Sequence, residues 1–170
     1  DSAPISIVLG AQIEIATRAG TRFTPLESFY TGPGKVTLAH DEIAVAFHFK
    51  KADYQDIGAS FYKYAMRGAM DISTINCGAA CRIEAGRFTM LKLAYGVAAP
   101  TPIRAKTAEA AALDKPFNAE TLAAIREAVM QDVAPRTSWR ASKEFRLQII
   151  RTLAERVVAQ AAQNAGGVLA

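Results

Sequence analysis

Cysteine, histidine and tryptophan are scarce in this chain, at two, two and one in 170 residues. Cys77 and Cys81 stand four residues apart in an apolar run; in a strand both fall on one face, roughly 13 Å apart, too far for a disulfide within that strand. A Cys-x3-Cys pair without further ligands cannot close a tetrahedral metal site either. Both therefore read as small, buried, reduced apolar residues, and a reducing, cytoplasmic compartment is expected. His40 lies in a loop beside Asp41 and His48 alternates with Phe47 and Phe49, so neither has the partner a general base needs. No nucleophile, histidine and acid set is present. No apolar run approaches the ~20 residues of a membrane helix, so no membrane role is expected.

Half the residues are hydrophobic (51%) and 21% are charged, with both signs interspersed, which is globular composition. A chain of this length can bury roughly 70% of its unfolded surface. The net charge of +4 is spread out except for a loose group of Arg136, Arg140, Lys143 and Arg146. A nucleic-acid binder concentrates its cations in a stripe with aromatics between them, so these read as a solvated surface and no nucleic-acid partner is expected. Trp139 beside Arg140 reads as a packing aromatic near a helix start, with stacking on a ligand as the alternative. The opening Asp1-Ser2-Ala3-Pro4, without methionine or a signal-peptide pattern, reads as the start of a processed or truncated piece.

Gln12 to Ala16 alternates polar and apolar residues as a half-buried strand does, Arg18-Ala19-Gly20-Thr21 reads as a hairpin turn, and Arg22 to Thr24 returns. Thr31-Gly32-Pro33-Gly34-Lys35 has the composition of a phosphate cradle, but no helix with Lys-Ser or Lys-Thr follows, so it reads as a surface turn. Glu42 to Phe49 is a strand that sets Ile43, Val45, Phe47 and Phe49 on one face. Three strands make too thin a sheet to stand alone, so residues 1–50 are expected to be the trailing edge of a larger domain. A polar break over 50–58 marks the boundary. From 58 to 170 the expected order is three antiparallel strands (Ala59–Met66, Ser73–Glu84 and Arg87–Val97, with Ala85-Gly86 as the last hairpin) and then three helices. Those helices run from Ile103 to Leu113, from an Asn118 N-cap to about Asp132, and from Ser142 or Ser138 along a stripe of Phe145, Ile149, Leu153, Val157 and Ala161 to Gly166-Gly167. The fold class is α+β: a three-stranded antiparallel sheet packed against a three-helix bundle.

Phe61-Tyr62-Lys63-Tyr64-Ala65-Met66-Arg67 runs directly into Gly68-Ala69-Met70-Asp71-Ile72-Ser73, a strand that breaks into a flexible turn carrying a carboxylate. Lys63 cannot be buried unpaired, so its face is either an exposed edge or a site for a polar ligand; periodicity alone favours the edge.

Together with Arg67, Asp71 and Ile72, the segments Tyr95-Gly96-Val97-Ala98-Ala99-Pro100-Thr101-Pro102-Ile103-Arg104 and Ser142-Lys143-Glu144-Phe145-Arg146 resemble the carboxy-terminal half of the FAD subunit of molybdenum hydroxylases. Gln131-Asp132-Val133-Ala134-Pro135-Arg136 with Ser138-Trp139-Arg140 is similar to the bacterial xanthine dehydrogenase branch, which implies purine metabolism. The resemblance implies an oxidoreductase subunit in which electrons pass from a molybdenum centre through 2Fe-2S clusters to FAD and then to NAD. It implies a molybdopterin-binding large subunit and a 2Fe-2S subunit as partners. Residue by residue, it implies flavin contacts at Asp1, Ala44, Lys63, Asp71 and Ile72, the last two in a turn close to the isoalloxazine ring. A lysine there favours negative charge on the reduced ring, and a mobile carboxylate opposes it. The family's two glycine-rich pyrophosphate loops have no counterpart in this sequence, so the chain alone is not expected to retain FAD. The competing expectation is a structural module that docks the other subunits and catalyses nothing.

Overall fold

A computed structural model describes residues 1–170. Helix α1 (Ala3–Val8) leads into β1 (Gln12–Thr17) and β2 (Gly20–Pro25), followed by one turn of helix α2 (Leu26–Phe29), β3 (Tyr30–Gly32), β4 (Lys35–Val36) and β5 (Ile43–His48). Helix α3 (Lys51–Tyr54) precedes β6 (Gly58–Tyr64), β7 (Ile75–Glu84), β8 (Arg87–Gly96) and β9 (Ile103–Arg104). Then come α4 (Lys106–Ala112), α5 (Ala119–Ala128) with a 3-10 turn over Val129–Gln131, and α6 (Lys143–Asn164). All strand pairing is antiparallel, in a sheet of order β2-β1-β5, the hairpin β3-β4, and a sheet of order β6-β7-β8-β9.

The main sheet has a fourth strand where the sequence suggests only three. Ile103 and Arg104 begin no helix; they pair with Tyr95 and Ala94 at the sheet edge, and α4 starts only at Lys106. Pro102 holds the approach extended, and β-branched Ile103 suits a pleated surface. Helix α4 also lacks a side-chain cap of its own. The Asp132 carboxylate, from beyond α5, accepts its Thr107 and Ala108 N–H groups at 3.1 Å each. The other two caps are local: Asn118 Oδ1 accepts from Thr121 N–H at 2.9 Å and Ser142 Oγ from Phe145 N–H at 3.2 Å. Ala85 and Gly86 both take positive φ (48° and 73°), the pairing a two-residue hairpin needs.

Helices α4, α5 and α6 lie against one face of the main sheet and close a core of 24 buried residues, among them Cys77, Leu93, Tyr95, Phe117, Ile125, Ile150 and Leu153. Full burial of each large side chain contributes about 1.5–3 kcal/mol. Tyr95, fully buried, keeps its hydroxyl satisfied by donating to the Ile150 carbonyl at 3.1 Å, which ties β8 to α6. The approach of β6 to α6 is a backbone contact: a Cβ at Gly58 would stand 2.0 Å from the Ala161 carbonyl oxygen. Cys77 and Cys81 are free and buried, and burial pushes both thiols up to about 12.

The opposite face carries α1, whose backbone crosses β7 so closely that a Cβ at Gly78 would meet Ile5 N at 2.8 Å. A second core of nine buried residues forms there: Ile7, Val8, Ala11, Ile13, Ile15, Leu26 and Phe29, with Ala80 and Ala94 supplied by β7 and β8. Beyond it, Phe23, Ile43, Val45 and Phe47 are all more than half exposed. The simple alternation expected for β5 is broken. Ile13 pairs with Phe47 but Ile15 with Ala44, so a bulge sends Ile43, opposite Ala16, to the face away from Phe47.

Candidate functional site

Strand β6 is an edge strand, and its last residues open into the turn that joins it to β7. Thr74 N–H donating to the Tyr64 carbonyl at 2.8 Å closes that excursion at its base. Inside it, the Asp71 carboxylate faces back into the turn and accepts from Arg67 N–H at 3.0 Å and from its neighbour Ile72 N–H at 2.8 Å. The Arg67 guanidinium donates to the Met70 carbonyl at 2.7 Å, and Met70 sits at φ 52°. Burial pushes the Asp71 carboxyl up, but the N–H groups of Ile72, Arg67 and Met66 and the Arg67 charge outweigh it and hold the acid below its ordinary range. The carboxylate is therefore committed to the turn's own amides. Met66, Met70 and Ile72 remain exposed on its surface.

Lys63 points its ammonium between two acceptors, Asp1 Oδ2 at 2.8 Å and the backbone carbonyl of Asp71. Both side chains of the ion pair are 34% exposed, so solvent screens the pair and its net stabilisation is at most about 1 kcal/mol. The other carboxylate oxygen of Asp1 accepts at 3.4 Å from Ser73 N–H and from the Asn76 amide, which also donates to Ser73 Oγ at 2.9 Å. Asn76 Oδ1 is buried and has no partner. It fits only because Gly96 lies opposite in the ladder: a Cβ there would stand 2.2 Å from this oxygen. Next to this cluster, a hollow of about 480 Å³ is lined by Tyr62, Lys63, Tyr64, Met66, Arg67 and Asp71 among others, a size in the range of small-molecule sites.

Of the residues expected from the sequence, the structure brings Asp1, Lys63 and Asp71 into one hydrogen-bonded cluster, with Ile72 59% exposed beside it. Ala44 lies apart, in the exposed outer strand β5, opposite Ile15. The expected roles also shift within the cluster, because the carbonyl of Asp71 faces Lys63 while its carboxylate faces the turn. Lys63 stands on the edge strand, as periodicity favours, and its ammonium is engaged by acceptors of the protein itself.

Ser73 and Asn76 join the cluster without an expected role, and Arg146 does not lie on the solvated surface expected for it. Arg146 is 2% exposed and donates to the Thr74 carbonyl at 2.6 Å and to Ser138 Oγ at 2.8 Å, which anchors the exit of the turn to the start of α6. The sequence carries a signal for it. Arg146 precedes Ile149 and Ile150 by three and four positions, on the buried stripe, whereas Phe145 is 46% exposed and stacks edge-on with Tyr64. Asn76 is similarly conspicuous as an amide in the otherwise apolar start of β7.

Residues 60–161 match the CO dehydrogenase flavoprotein C-terminal domain. Over 169 residues, 99% of its length, the chain is 55% identical to the xanthine dehydrogenase FAD-binding subunit of Escherichia coli O157:H7, of which it covers 58%. It is 24% identical over 167 residues to the 6-hydroxypseudooxynicotine dehydrogenase complex subunit alpha of Paenarthrobacter nicotinovorans, with 95% of this chain and 54% of the relative aligned. Among solved structures, carbon monoxide dehydrogenase from Hydrogenophaga pseudoflava superposes with a TM-score of 0.88 at 24% identity, over 96% of this chain and 56% of that one. Quinoline 2-oxidoreductase from Pseudomonas putida 86 gives 0.87 at 24% identity, over 97% and 56%; at this identity the likeness is one of fold. The chain spans 58% of the length of the Escherichia coli subunit. It belongs to the CO dehydrogenase flavoprotein C-terminal domain family, the carboxy-terminal portion of FAD-binding subunits of the xanthine dehydrogenase type.

Proposed function

We propose that this chain forms one wall of the flavin site in the FAD-binding subunit of a xanthine dehydrogenase-like molybdenum hydroxylase. In that enzyme a 2Fe-2S subunit delivers electrons taken from substrate at a molybdopterin-binding large subunit, and NAD accepts them. The observation that carries this reading is the Lys63 ammonium, held between Asp1 and the Asp71 carbonyl at the rim of a ligand-sized hollow. The lining suits an electron-rich ring edge: a fixed cation at Lys63 beside the aromatic wall of Tyr62 and Tyr64.

When bound, FAD supplies the junction between one-electron delivery from the clusters and two-electron transfer to NAD. Lys63 places positive charge where negative charge accumulates on reduction. Asp1 offsets part of that charge and, with the Asp71 carbonyl, fixes the direction of the ammonium. Met66 lines the hollow and Ile72, exposed beside it, adds apolar surface against which a ring could rest. Asp71, ionised through its own turn, sets a fixed negative charge where the nicotinamide approaches.

A second reading, a docking module without flavin contact, draws on the exposed apolar side chains of the front sheet, Phe23 on one face and Phe47 on the other. Lys63→Ala in the assembled enzyme separates the two. The flavin-wall reading expects NAD reduction to fall about tenfold with all subunits still assembled. Loss of assembly at unchanged flavin behaviour would favour the docking module.

A further inference from the structure

The corner between β8, the segment after α5 and the start of α6 shares the buried Arg146 with the candidate site and is otherwise unused by the flavin-wall reading. Ala134 N–H donates to the Ala98 carbonyl at 2.9 Å and holds these segments together. Trp139, the chain's one tryptophan, is 84% exposed, with the Arg140 guanidinium stacked 4.2 Å from its ring centroid. A packing aromatic would be buried. Arg136, Arg140 and Arg146 gather here, and none has a carboxylate within 4.0 Å, whereas Arg22, Arg104 and Arg126 elsewhere are each paired with glutamates. The nearby Glu144 is held by its own backbone N–H and the Ser142 hydroxyl at the helix start, and so does not neutralise them. The Nε atoms of Arg140 and Arg146 are buried without partners. Arg146 is pushed below the ordinary arginine value by burial first and then by repulsion from Arg136 and Arg140, so the cluster lacks an anion.

Beside it lies a hollow of about 520 Å³, walled by Pro33, Val97, Pro100, Pro102 and Arg136 among others. Val97 sits at φ 66°, a strained conformation for a β-branched residue, and keeps 37% of its surface exposed at the rim. An open tryptophan stacked with arginine, next to an apolar hollow and a surplus of positive charge, has the chemistry of an interface anchor.

We propose that Trp139, Arg140 and Arg136, with the Pro33–Val97–Pro102 hollow, form a docking surface for an acidic face of a partner subunit. The proposal rests on the reading that this chain works within a multi-subunit enzyme. A free inorganic anion would satisfy the arginines but leave the hollow and the tryptophan unused. A protein segment bearing carboxylates and an apolar side chain uses all three.

The test is association of the full-length FAD subunit with the separately purified 2Fe-2S and molybdopterin-binding subunits, measured for the wild type and for Trp139→Ala, Arg136→Glu, Arg140→Glu and the distant control Arg18→Glu. Far-UV circular dichroism separates loss of docking from loss of fold. Trp139→Ala is expected to weaken association about thirtyfold and each reversal at Arg136 or Arg140 about tenfold or more, with a reduced salt dependence, while Arg18→Glu stays within about twofold. If the subunits associate and every variant binds like the wild type, the docking surface is overturned and the flavin-wall reading stands. If the wild type associates with neither subunit, both fall. Saturable quenching of Trp139 fluorescence by inorganic pyrophosphate, in this chain alone, would overturn the proposal in favour of a small-anion site.

Discussion

Behind the four-stranded sheet, α4, α5 and α6 close a core of 24 buried residues; in front of it, α1, α2 and β1 share nine, two of which, Ala80 and Ala94, belong to the sheet itself. The rear layer is sealed by large side chains and by direct backbone contact between β6 and α6. The front layer is thin, and its outer strands leave Phe23, Ile43, Val45 and Phe47 exposed. The candidate site lies on the seam between them, because Asp1 comes from the front and Lys63 and Asp71 from the edge of the sheet. Cluster geometry therefore depends on how firmly the weaker layer is docked.

Two glycines test that contrast directly. In Gly58→Ala the new methyl meets the Ala161 carbonyl oxygen of α6 at 2.0 Å and the Ala165 nitrogen just past its end at 2.2 Å, and neither is a flexible side chain. The expected cost is about 3 kcal/mol or more, a fall in Tm of about 6–12 °C by calorimetry. In Gly78→Ala the methyl meets Ile5 N and Cα at 2.8 and 2.9 Å, on a helix of only six residues that can shift. There the expected cost is about 1–2 kcal/mol, accompanied by loss of the Asp1–Lys63 contact in NMR spectra of the lysine ammonium. Equal costs at the two positions would show that front and rear are packed with the same rigidity.

A smaller effect distinguishes the layers by pH. Glu42 accepts from Arg22 at 2.6 and 2.8 Å across the front sheet, and the Arg22 hydrogen bonds, helped by Ala39 N–H, lower its carboxyl to about 2 from an ordinary 4.5. Because the folded value is depressed, the pair's contribution is present above pH 4.5 and fades as pH falls toward 2. The front sheet is expected to loosen over that window before the rear core does. NMR titration of the Glu42 carboxyl reads it directly, and a midpoint near 4.5 would show the pair open in solution.

The element order was largely legible in the sequence because hydrophobic periodicity and turn chemistry are local. Asn118, Ser142 and the Ala85-Gly86 turn announce themselves by residue type and position. What stayed hidden depends on contacts between distant segments. Ile103 and Arg104 read as helix because alanine-rich sequence follows them, and only pairing with β8 makes them a strand. The β5 bulge is set by its partner β1, and the cap of α4 comes from Asp132, more than twenty residues away. At the candidate site, Lys63 and Asp71 lie in one conspicuous stretch, and resemblance added Asp1. That the Asp71 carboxylate turns into its own loop, and that Arg146 sits buried behind Thr74, follow from the three-dimensional turn and not from any local pattern.

The most direct test of the flavin wall is the midpoint potential of FAD in the full-length subunit, compared between the wild type and Lys63→Ala. Removing a cation next to the reduced ring is expected to lower the potential by about 30 mV, a tenfold shift for a two-electron couple. A potential unchanged by the substitution, in a subunit that still folds and holds FAD, would contradict the placement of Lys63 at the flavin.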